Sequence, residues 1–347
     1  MDHQRAHGFY PSFLWKDGER LPLKGNTHAD GGKTPEDYSP GATEKRRDNR
    51  EGKVTYAPDV MLAETLRFME ENRNKPMFIF FSTNLPHGPV DIPPEENTYA
   101  GSPSIRQAYG NASGTNRECA GAAEEYASMV DKLDRQVGAI VDQVRKLGLD
   151  KRTIIIFSSD NGHELYYRTD KGRGRGPDCH GGVLDGTGEL LDVFRGSRGR
   201  VGPNNAMANL AGLKWTSHEG GIRVPLIISW PGTLPYGKVC HSLVANYDHM
   251  ASFADLAGVR MPEGKDAVSY IDILSGNSDR QRDYVVVDHT VITGDGWKLT
   301  QKQNKPFLFQ IGKDPEERHN LAETRKDQLE KLRAIYRKEV GSPRKDR

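Results

Sequence analysis

Residues 153–162, Thr-Ile-Ile-Ile-Phe-Ser-Ser-Asp-Asn-Gly, decide the fold of this chain. The first five are β-branched or aromatic, and such a continuous run is typical of a strand covered on both faces, as in parallel sheets. In open α/β sheets, ligands bind beyond the carboxyl ends of the strands, which is where Asp160 and Asn161 stand. Their oxygen atoms suit a hard cation such as Ca²⁺ or Mg²⁺. Because Asp-Asn-Gly is equally good turn chemistry, this stretch alone leaves a turn and a metal site open.

Two further apolar runs, residues 76–82 and 224–230, predict buried strands. His87 follows the first run between two prolines, so it too stands at the carboxyl end of a strand. The strongest helix is predicted for residues 123–147, where apolar side chains recur at the helical repeat for about six turns. Since this helix leads into the strand at 153–157, the pattern predicts a mostly parallel sheet flanked by helices.

The sequence patterns for the remaining elements are weaker. Residues 1–53 are predicted to be loop with one short hairpin, and helices are predicted from Pro58 and over residues 240–257. In the second of these helices, we expect the apolar side chains of Leu243, Tyr247, Met250, Phe253, Ala254 and Ala257 to face inward.

The pattern of the sequence changes after about residue 262, from long apolar runs to short stretches of alternating apolar and polar residues. Short alternating strands at 284–287, 297–300 and 307–310 precede a charged helix at about 325–340, which predicts a small antiparallel α+β subdomain. We therefore expect an α/β domain over residues 1–265 and a C-terminal subdomain over residues 266–347.

Composition excludes several classes of protein. The 347 residues contain 49 Lys and Arg against 48 Asp and Glu, and a net charge of +1 argues against broad binding to nucleic acid. No apolar run approaches the roughly 20 residues of a membrane span. The first residues lack the apolar core of a signal peptide, so the polypeptide as written is expected to be cytoplasmic. Three widely spaced cysteines allow at most one disulfide.

The candidate site residues suit hydrolysis of a sulfate or phosphate ester. A cation held by Asp160 and Asn161 would polarise an ester oxygen. His87 and Lys214 could hold the other oxygens or protonate a leaving group. Each residue also has a plainer interpretation: His87 as a structural histidine, Lys214 as a surface lysine, and Glu219 as the ion-pair partner of Arg223 four residues on.

The motifs together resemble a known family. Residues 159–162 (Ser-Asp-Asn-Gly), 84–89 (Asn-Leu-Pro-His-Gly-Pro) and 214–225 (Lys-Trp, then Glu-Gly-Gly-Ile-Arg-Val-Pro) are similar, in order and spacing, to segments of formylglycine-dependent sulfatases of the alkaline-phosphatase superfamily. Trp297-Lys298-Leu299 and the segment 314–322 resemble the C-terminal subdomain of that family. The resemblance implies that Asp160 and Asn161 bind Ca²⁺ or, alternatively, Mg²⁺, and that His87 and Lys214 contact the sulfate. It also implies a sulfated small molecule or sulfated glycan as substrate, and relatives that are often periplasmic or secreted.

The chain departs from the family pattern at the nucleophile. The family oxidises the Cys or Ser of C/S-x-P-x-R to formylglycine, but neither Cys119, Cys179 nor Cys240 has a proline two residues on. The paired aspartates that complete the metal site and the Gly-Lys-x-His segment are also missing. We therefore expect an alkaline-phosphatase-like fold that is N-terminally incomplete, with a complementing N-terminal fragment as a potential partner.

The resulting prediction is a sulfatase-like protein of arylsulfatase type whose isolated chain is inactive, because covalent catalysis fails without its nucleophile. Two alternatives stay open. One is a phosphoester or phosphonate hydrolase of the same superfamily, and the other is a non-catalytic remnant or partner subunit. The insertion at 163–212, rich in Gly and Arg, could cradle an anion or form a solvated surface loop.

Overall fold

The computed structural model describes residues 8–27, 50–87, 90–108, 115–162, 183–184, 190–191, 210–211, 214, 216–276, 282–302 and 305–340. It divides into two compact units, of which the first contains residues 1–150 and the second contains residues 151–163 and 205–347. Most of the insertion at 163–212 lies outside the described residues, so both interpretations of it, an anion cradle and a solvated surface loop, stay predictions. No helix in the described part of the chain combines the length and the apolar character that a bilayer crossing requires.

The first unit begins with the predicted short hairpin. Strands β1 (Phe13–Lys16) and β2 (Glu19–Pro22) pair antiparallel, with Leu14 opposite Leu21. The two residues between them, Asp17 and Gly18, both have positive φ, as a tight two-residue hairpin turn requires. Asp-Gly is favoured in such turns, so the local sequence determines this element.

The described part of the first unit contains the α-helices α1 (Ala57–Glu71), α2 (Pro103–Ala108) and α3 (Thr115–Lys146). The predicted helices from Pro58 and over 123–147 are thus confirmed, and a proline lies in the first turn of α1. On α3, Lys132 binds Asp59 at 2.7 Å and Gln136 donates to the carbonyl of Pro58, which fixes α3 against α1. A buried cluster lies under these helices and contains Phe9, Tyr10, Tyr56, Leu85, Val90, Ile92 and Met129.

The strand predicted at residues 76–82 is wrong. The structure gives these residues no strand conformation, and the side chain of Phe80 is 83% exposed. A strand needs a neighbour that satisfies its backbone hydrogen-bonding groups, and apolar composition alone does not supply one. The run at 76–82 therefore carries the composition of a buried strand without its conformation.

The second unit contains the stretch 153–162. Strand β3 (Ile155–Ser158) pairs with β6 (Leu226–Ser229), so both predicted strands exist. They run antiparallel, with Phe157 opposite Ile227, whereas the sequence predicts parallel neighbours. A short hairpin connection permits only an antiparallel pair, whereas a long connection such as the one from Ser158 to Leu226 permits either direction. The predicted burial of β6 is also wrong, since Ile227 is 62% exposed. Between them lie the two-residue strands β4 (Val183–Leu184) and β5 (Leu190–Leu191).

Three short helices follow in the second unit: α4 (Glu219–Ile222), α5 (Asp248–Leu256) and α6 (Ile271–Ser275). The predicted helix 240–257 thus begins eight residues late, and its predicted inward face is wrong. Met250 is 50% exposed, while Asp248, Ala251 and Ser252 are buried. The cause is polar: Arg282 and the backbone N–H groups of Ala245 and Val268 bind the Asp248 carboxylate and draw that face inward.

The C-terminal part is an antiparallel sheet covered by a helix, as predicted. Its strands are β7 (Tyr284–Val287), β8 (Thr290–Thr293), β9 (Trp297–Lys302) and β10 (Lys305–Gln310), in the spatial order β10-β9-β8-β7. Helix α7 (Lys326–Glu339) packs on the sheet through a core that includes Val291, Leu299, Leu308, Leu329, Leu332 and Tyr336. The predicted domain boundary after residue 265 stays a prediction.

Candidate functional site

The Asp160-Asn161-Gly162 segment forms a hydrogen-bonded turn directly after β3. The backbone N–H of Asn161 donates to Oδ1 of Asp160 at 2.8 Å, and the Asn161 amide donates to the carbonyl of Gly162 at 2.9 Å. Ser159 Oγ donates to the carbonyl of Asn161. The turn interpretation is therefore correct. It does not exclude metal binding, because the Asp160 carboxylate is exposed and the Asn161 carboxamide uses its N–H group, rather than its oxygen, in the bond to Gly162.

Asn246 anchors this turn from the residues that lead into α5. Its Nδ2 donates to the carbonyl of Ser159 at 2.9 Å, and its Oδ1 accepts from Ser158 Oγ at 3.3 Å. Sequence reasoning missed Asn246, since an asparagine ahead of a helix is indistinguishable from an ordinary capping residue. Its contacts fix the end of β3, and with it the position of Asp160.

Gly162 joins the turn to α4. Its N–H donates to the carbonyl of Gly221 at 2.9 Å. A Cβ atom at Gly162 would lie only 1.8 Å from the carbonyl oxygen of Gly220, so this approach admits no side chain at residue 162. Two of the motifs that the sequence singles out are thus in direct backbone contact.

Lys214 lies in a loop that closes on the same helix. The N–H of Gly220 donates to the carbonyl of Ala211 at 2.6 Å, which holds close together two residues that flank Lys214 in sequence. The N–H of Ala211 in turn donates to the carbonyl of Pro315 at 3.4 Å. Lys214 is half-buried, which is compatible both with a lysine that contacts sulfate and with a surface lysine.

A buried cluster of four titratable side chains, His218, Glu219, Lys298 and Glu317, lies at the start of α4. Lys298 on β9 is fully buried and donates to Glu219 at 3.0 Å and to Glu317 at 2.8 Å. His218 Nδ1 lies 2.6 Å from the other oxygen of Glu317. Burial alone would raise the pKa of Glu317, but the charge of Lys298 and the hydrogen bond from His218 outweigh it and hold that pKa below its ordinary value. The Glu317 carboxylate is therefore ionised at neutral pH.

The sequence signals only part of this cluster. The predicted pair between Glu219 and Arg223 exists, with 3.7 Å between the two groups, but the nearer partner of Glu219 is Lys298. Lys298 and Glu317 lie in the two segments that resemble the C-terminal subdomain of the family. No sequence pattern, however, predicts that either residue contacts Glu219. Their contact spans 79 and 98 positions of sequence, which only the fold brings together.

His87 belongs to the first unit, whereas Asp160, Asn161 and Lys214 belong to the second. Its N–H donates to the carbonyl of Asn84 at 2.7 Å, and Asn84 donates to the carbonyl of Gly8. Leu85, within the same turn, belongs to the buried cluster around Phe9 and Tyr10. The turn that carries His87 is thus fixed within its own unit, and its association with the other three residues stays a prediction.

The donor set suits a hard cation but provides few ligands. Asp160 and Asn161 offer a carboxylate and a carboxamide oxygen, the atoms that Ca²⁺ and Mg²⁺ prefer. Within the ranges that the structure describes, no group of three or more His, Cys, Asp or Glu side chains could hold a metal ion. Asp160 and Asn161 therefore fit a cation site by the type of their donor atoms, and cation binding there stays a prediction.

Comparison with protein families gives two matches. The model described as Sulfatase matches residues 7–259, and the model described as N-sulphoglucosamine sulphohydrolase, C-terminal, matches residues 214–345. The first match includes His87, Asp160, Asn161 and Lys214. The second includes the sheet β7–β10 and helix α7.

Among curated proteins, the chain is similar to N-acetylgalactosamine-6-sulfatase of Canis lupus familiaris, with 26% identity over 62% of this chain and 31% of that protein. It is also similar to N-acetylgalactosamine-6-O-sulfatase of Bacteroides thetaiotaomicron, with 23% identity over 79% of this chain and 49% of that protein. The alignments thus span about a third to a half of the length of these curated relatives.

Solved structures show the same fold. BT4656, solved in complex with its substrate D-glucosamine-2-N,6-O-disulfate, is 16% identical, with a TM-score of 0.60 over 97% of this chain and 76% of that chain. A Bacteroides thetaiotaomicron 6S-sulfatase from a glycosaminoglycan locus is 21% identical, with a TM-score of 0.58 over 82% of this chain and 55% of that chain. The predicted alkaline-phosphatase-like α/β fold is confirmed. Because the first family model covers well over half of the residues, the chain belongs to the sulfatase family.

Proposed function

We propose that this chain carries part of a sulfatase site whose reaction is the hydrolysis of a sulfate ester, with a sulfated sugar or aryl sulfate as substrate. The observation that supports the proposal most is the backbone contact between Gly162 and Gly221, which joins the Asp160–Asn161 turn to the loop of Lys214. The curated relatives named for a sulfated sugar support the substrate class.

In this proposal each residue has a separate task. Asp160 and Asn161 hold a divalent cation, Ca²⁺ in preference to Mg²⁺, which when bound would polarise an oxygen of the sulfate. Lys214 binds a second sulfate oxygen through its ammonium group, and its charge offsets the negative charge that develops there. His87 donates a proton to the leaving oxygen of the alcohol or phenol.

We propose further that the chain by itself does not turn over. No Cys or Ser of this sequence stands in C/S-x-P-x-R, so the covalent step of the family has no nucleophile within it. Loss of a covalent nucleophile removes most of the rate of such enzymes, typically by several orders of magnitude. A second polypeptide with that motif would complete the site.

The test measures hydrolysis of 4-nitrophenyl sulfate by the chain co-expressed with formylglycine-generating enzyme, alone and together with a polypeptide that supplies C/S-x-P-x-R. We expect no turnover above that of the Asp160→Ala variant for the chain alone. In the complemented protein, we expect turnover that Asp160→Ala and Lys214→Ala each abolish. Clear, Asp160-dependent turnover by the chain alone would refute its inactivity, and preferential turnover of 4-nitrophenyl phosphate would favour the phosphoesterase alternative.

A further inference from the structure

The proposed reaction does not use the buried cluster of His218, Glu219, Lys298 and Glu317. Neither Lys298 nor Glu317 has any exposed side-chain surface. A buried charge is costly unless it is paired and hydrogen-bonded, so these side chains hold their segments in a fixed relation. Those segments are β9, the turn after β10, and the short helix α4.

Glu317 makes the contacts that reach α4. Its Oε1 accepts from the backbone N–H of Glu219 at 2.7 Å, and its Oε2 lies 2.6 Å from His218 Nδ1. One carboxylate therefore holds both the main chain at the start of α4 and the side chain just before it. A carboxylate that accepts several such hydrogen bonds is bound more strongly than a neutral acceptor would be.

The backbone of Glu317 indicates that this arrangement is specific. Its φ is +49°, in the left-handed region that residues other than glycine seldom adopt. A glycine would suit that backbone better, so the side-chain contacts of Glu317 outweigh the local strain. Strain of this kind persists only where the surrounding structure fixes the residue.

Gly162 packs against α4, the same helix that Glu317 contacts. Gly162 donates to the carbonyl of Gly221 and leaves no space for a Cβ beside Gly220. We infer that Glu317 is a positioning residue for the Asp160–Asn161 turn. It acts on the turn indirectly, through its contacts with α4. The link to cation binding rests on the proposed function, whereas the link to the turn itself does not.

Amide hydrogen exchange tests the link to the turn. The N–H of Gly162 is hydrogen-bonded to the carbonyl of Gly221, and the amides of α5 serve as an internal reference within the same unit. Glu317→Gly keeps the backbone conformation and removes the carboxylate, while Glu317→Gln keeps the shape and an acceptor. Relative to α5, we expect Gly162 to exchange on the order of tenfold faster in Glu317→Gly and by an intermediate factor in Glu317→Gln.

Glu330→Gln is the matched control, since Glu330 lies on α7 in an exposed ion pair with Arg333. It should leave the exchange of Gly162 unchanged relative to α5. The inference is overturned if the Glu317 variants accelerate Gly162 and α5 by the same factor, because the residue would then stabilise the unit without positioning the turn. It is equally overturned if Gly162 is unaffected.

Calcium titration separates this inference from the proposed function. If the chain binds Ca²⁺ and Asp160→Ala abolishes binding, Glu317→Gly should weaken binding severalfold, and unchanged affinity would contradict the inference. If Asp160→Ala leaves binding unchanged, the metal role of the turn fails, and the exchange of Gly162 alone decides whether Glu317 positions it.

Discussion

At the scale of single residues, Gly162 and Glu317 impose the strictest requirements on the site. Gly162 has no space for a side chain, and Glu317 adopts a conformation that its side chain must stabilise. The sequence pointed to Gly162 only as a turn former after Asp160 and Asn161. Its role in contact with α4 depends on a backbone approach that no local pattern specifies.

Substitution of Gly162 by alanine should displace α4. The added Cβ meets backbone atoms of Gly220 and Gly221, which cannot rotate away as a flexible side chain can. Such overpacking typically costs about 1–3 kcal/mol in free energy of unfolding. Urea denaturation would measure the loss.

Gly138→Ala is the control for that experiment, because its Cβ would meet nothing within 4 Å on α3. Alanine is a better helix former than glycine, so this variant should gain about 0.5–1 kcal/mol. Equal stability changes of the two variants would contradict the close approach at Gly162.

At the scale of elements, α5 shows how polar contacts override an apolar pattern. The sequence predicts a helix over 240–257 with Met250 and Phe253 inward, yet the helix begins at Asp248 and turns that carboxylate inward. Periodicity reports where apolar residues recur, but it does not report a buried ion pair formed with a residue 34 positions away. The strand at 76–82 fails for a related reason, since pairing partners are not encoded in the run itself.

Removal of the Arg282 side chain should destabilise the second unit strongly. Asp248 is buried, and within the described ranges Arg282→Met would leave its carboxylate with the backbone N–H donors of Ala245 and Val268. Breaking one side of a buried pair costs about 3–5 kcal/mol, and the remaining donors favour the lower end. Thermal unfolding should show the loss.

Arg337→Met supplies the control, since Arg337 forms an exposed pair with Glu330 on α7. Exposed pairs contribute about 0–1 kcal/mol, so this variant should unfold close to the wild type. A similar loss in both variants would show that the Asp248 pair is not a special determinant of stability.

At the scale of the whole molecule, sequence reasoning located most helices, the C-terminal sheet and the turn with Asp160 and Asn161. These elements depend on contacts between near neighbours in sequence. It missed Asn246 and the roles of Lys298 and Glu317, which depend on contacts between distant segments. The antiparallel direction of β6 belongs to the same group, because a long connection allows either direction.

The acid stability of the chain should reflect the buried cluster. Because the pKa of Glu317 is lowered in the folded state, its ionised carboxylate stabilises the fold above its ordinary pKa of 4.5. That contribution is lost as the pH falls below 4.5 through the folded pKa. The free-energy difference between wild type and Glu317→Gln should therefore be largest at neutral pH and shrink below pH 4.5.

Denaturation midpoints at pH 7 and at intervals below pH 4.5 would measure this trend. The control is Glu323→Gln, which changes an exposed carboxylate in the same part of the chain. High salt screens exposed charges but affects buried pairs much less, and 0.5 M salt shortens the screening length to roughly 4 Å. The pH dependence of the difference between wild type and Glu317→Gln should therefore persist at that salt concentration. A trend that salt abolishes would contradict a buried origin.

The contact of Glu317 with Glu219 also has a genetic consequence. The two residues are 98 positions apart. A premature stop codon between α4 and residue 317 would therefore remove the Glu317 carboxylate that holds α4, although α4 itself would be fully translated. Such a truncated product would contain the complete Asp160-Asn161-Gly162 motif but would lack the contacts that hold α4 against it. A motif search in fragmented genes would therefore report this site as present, although the residues that support it are encoded downstream of the break.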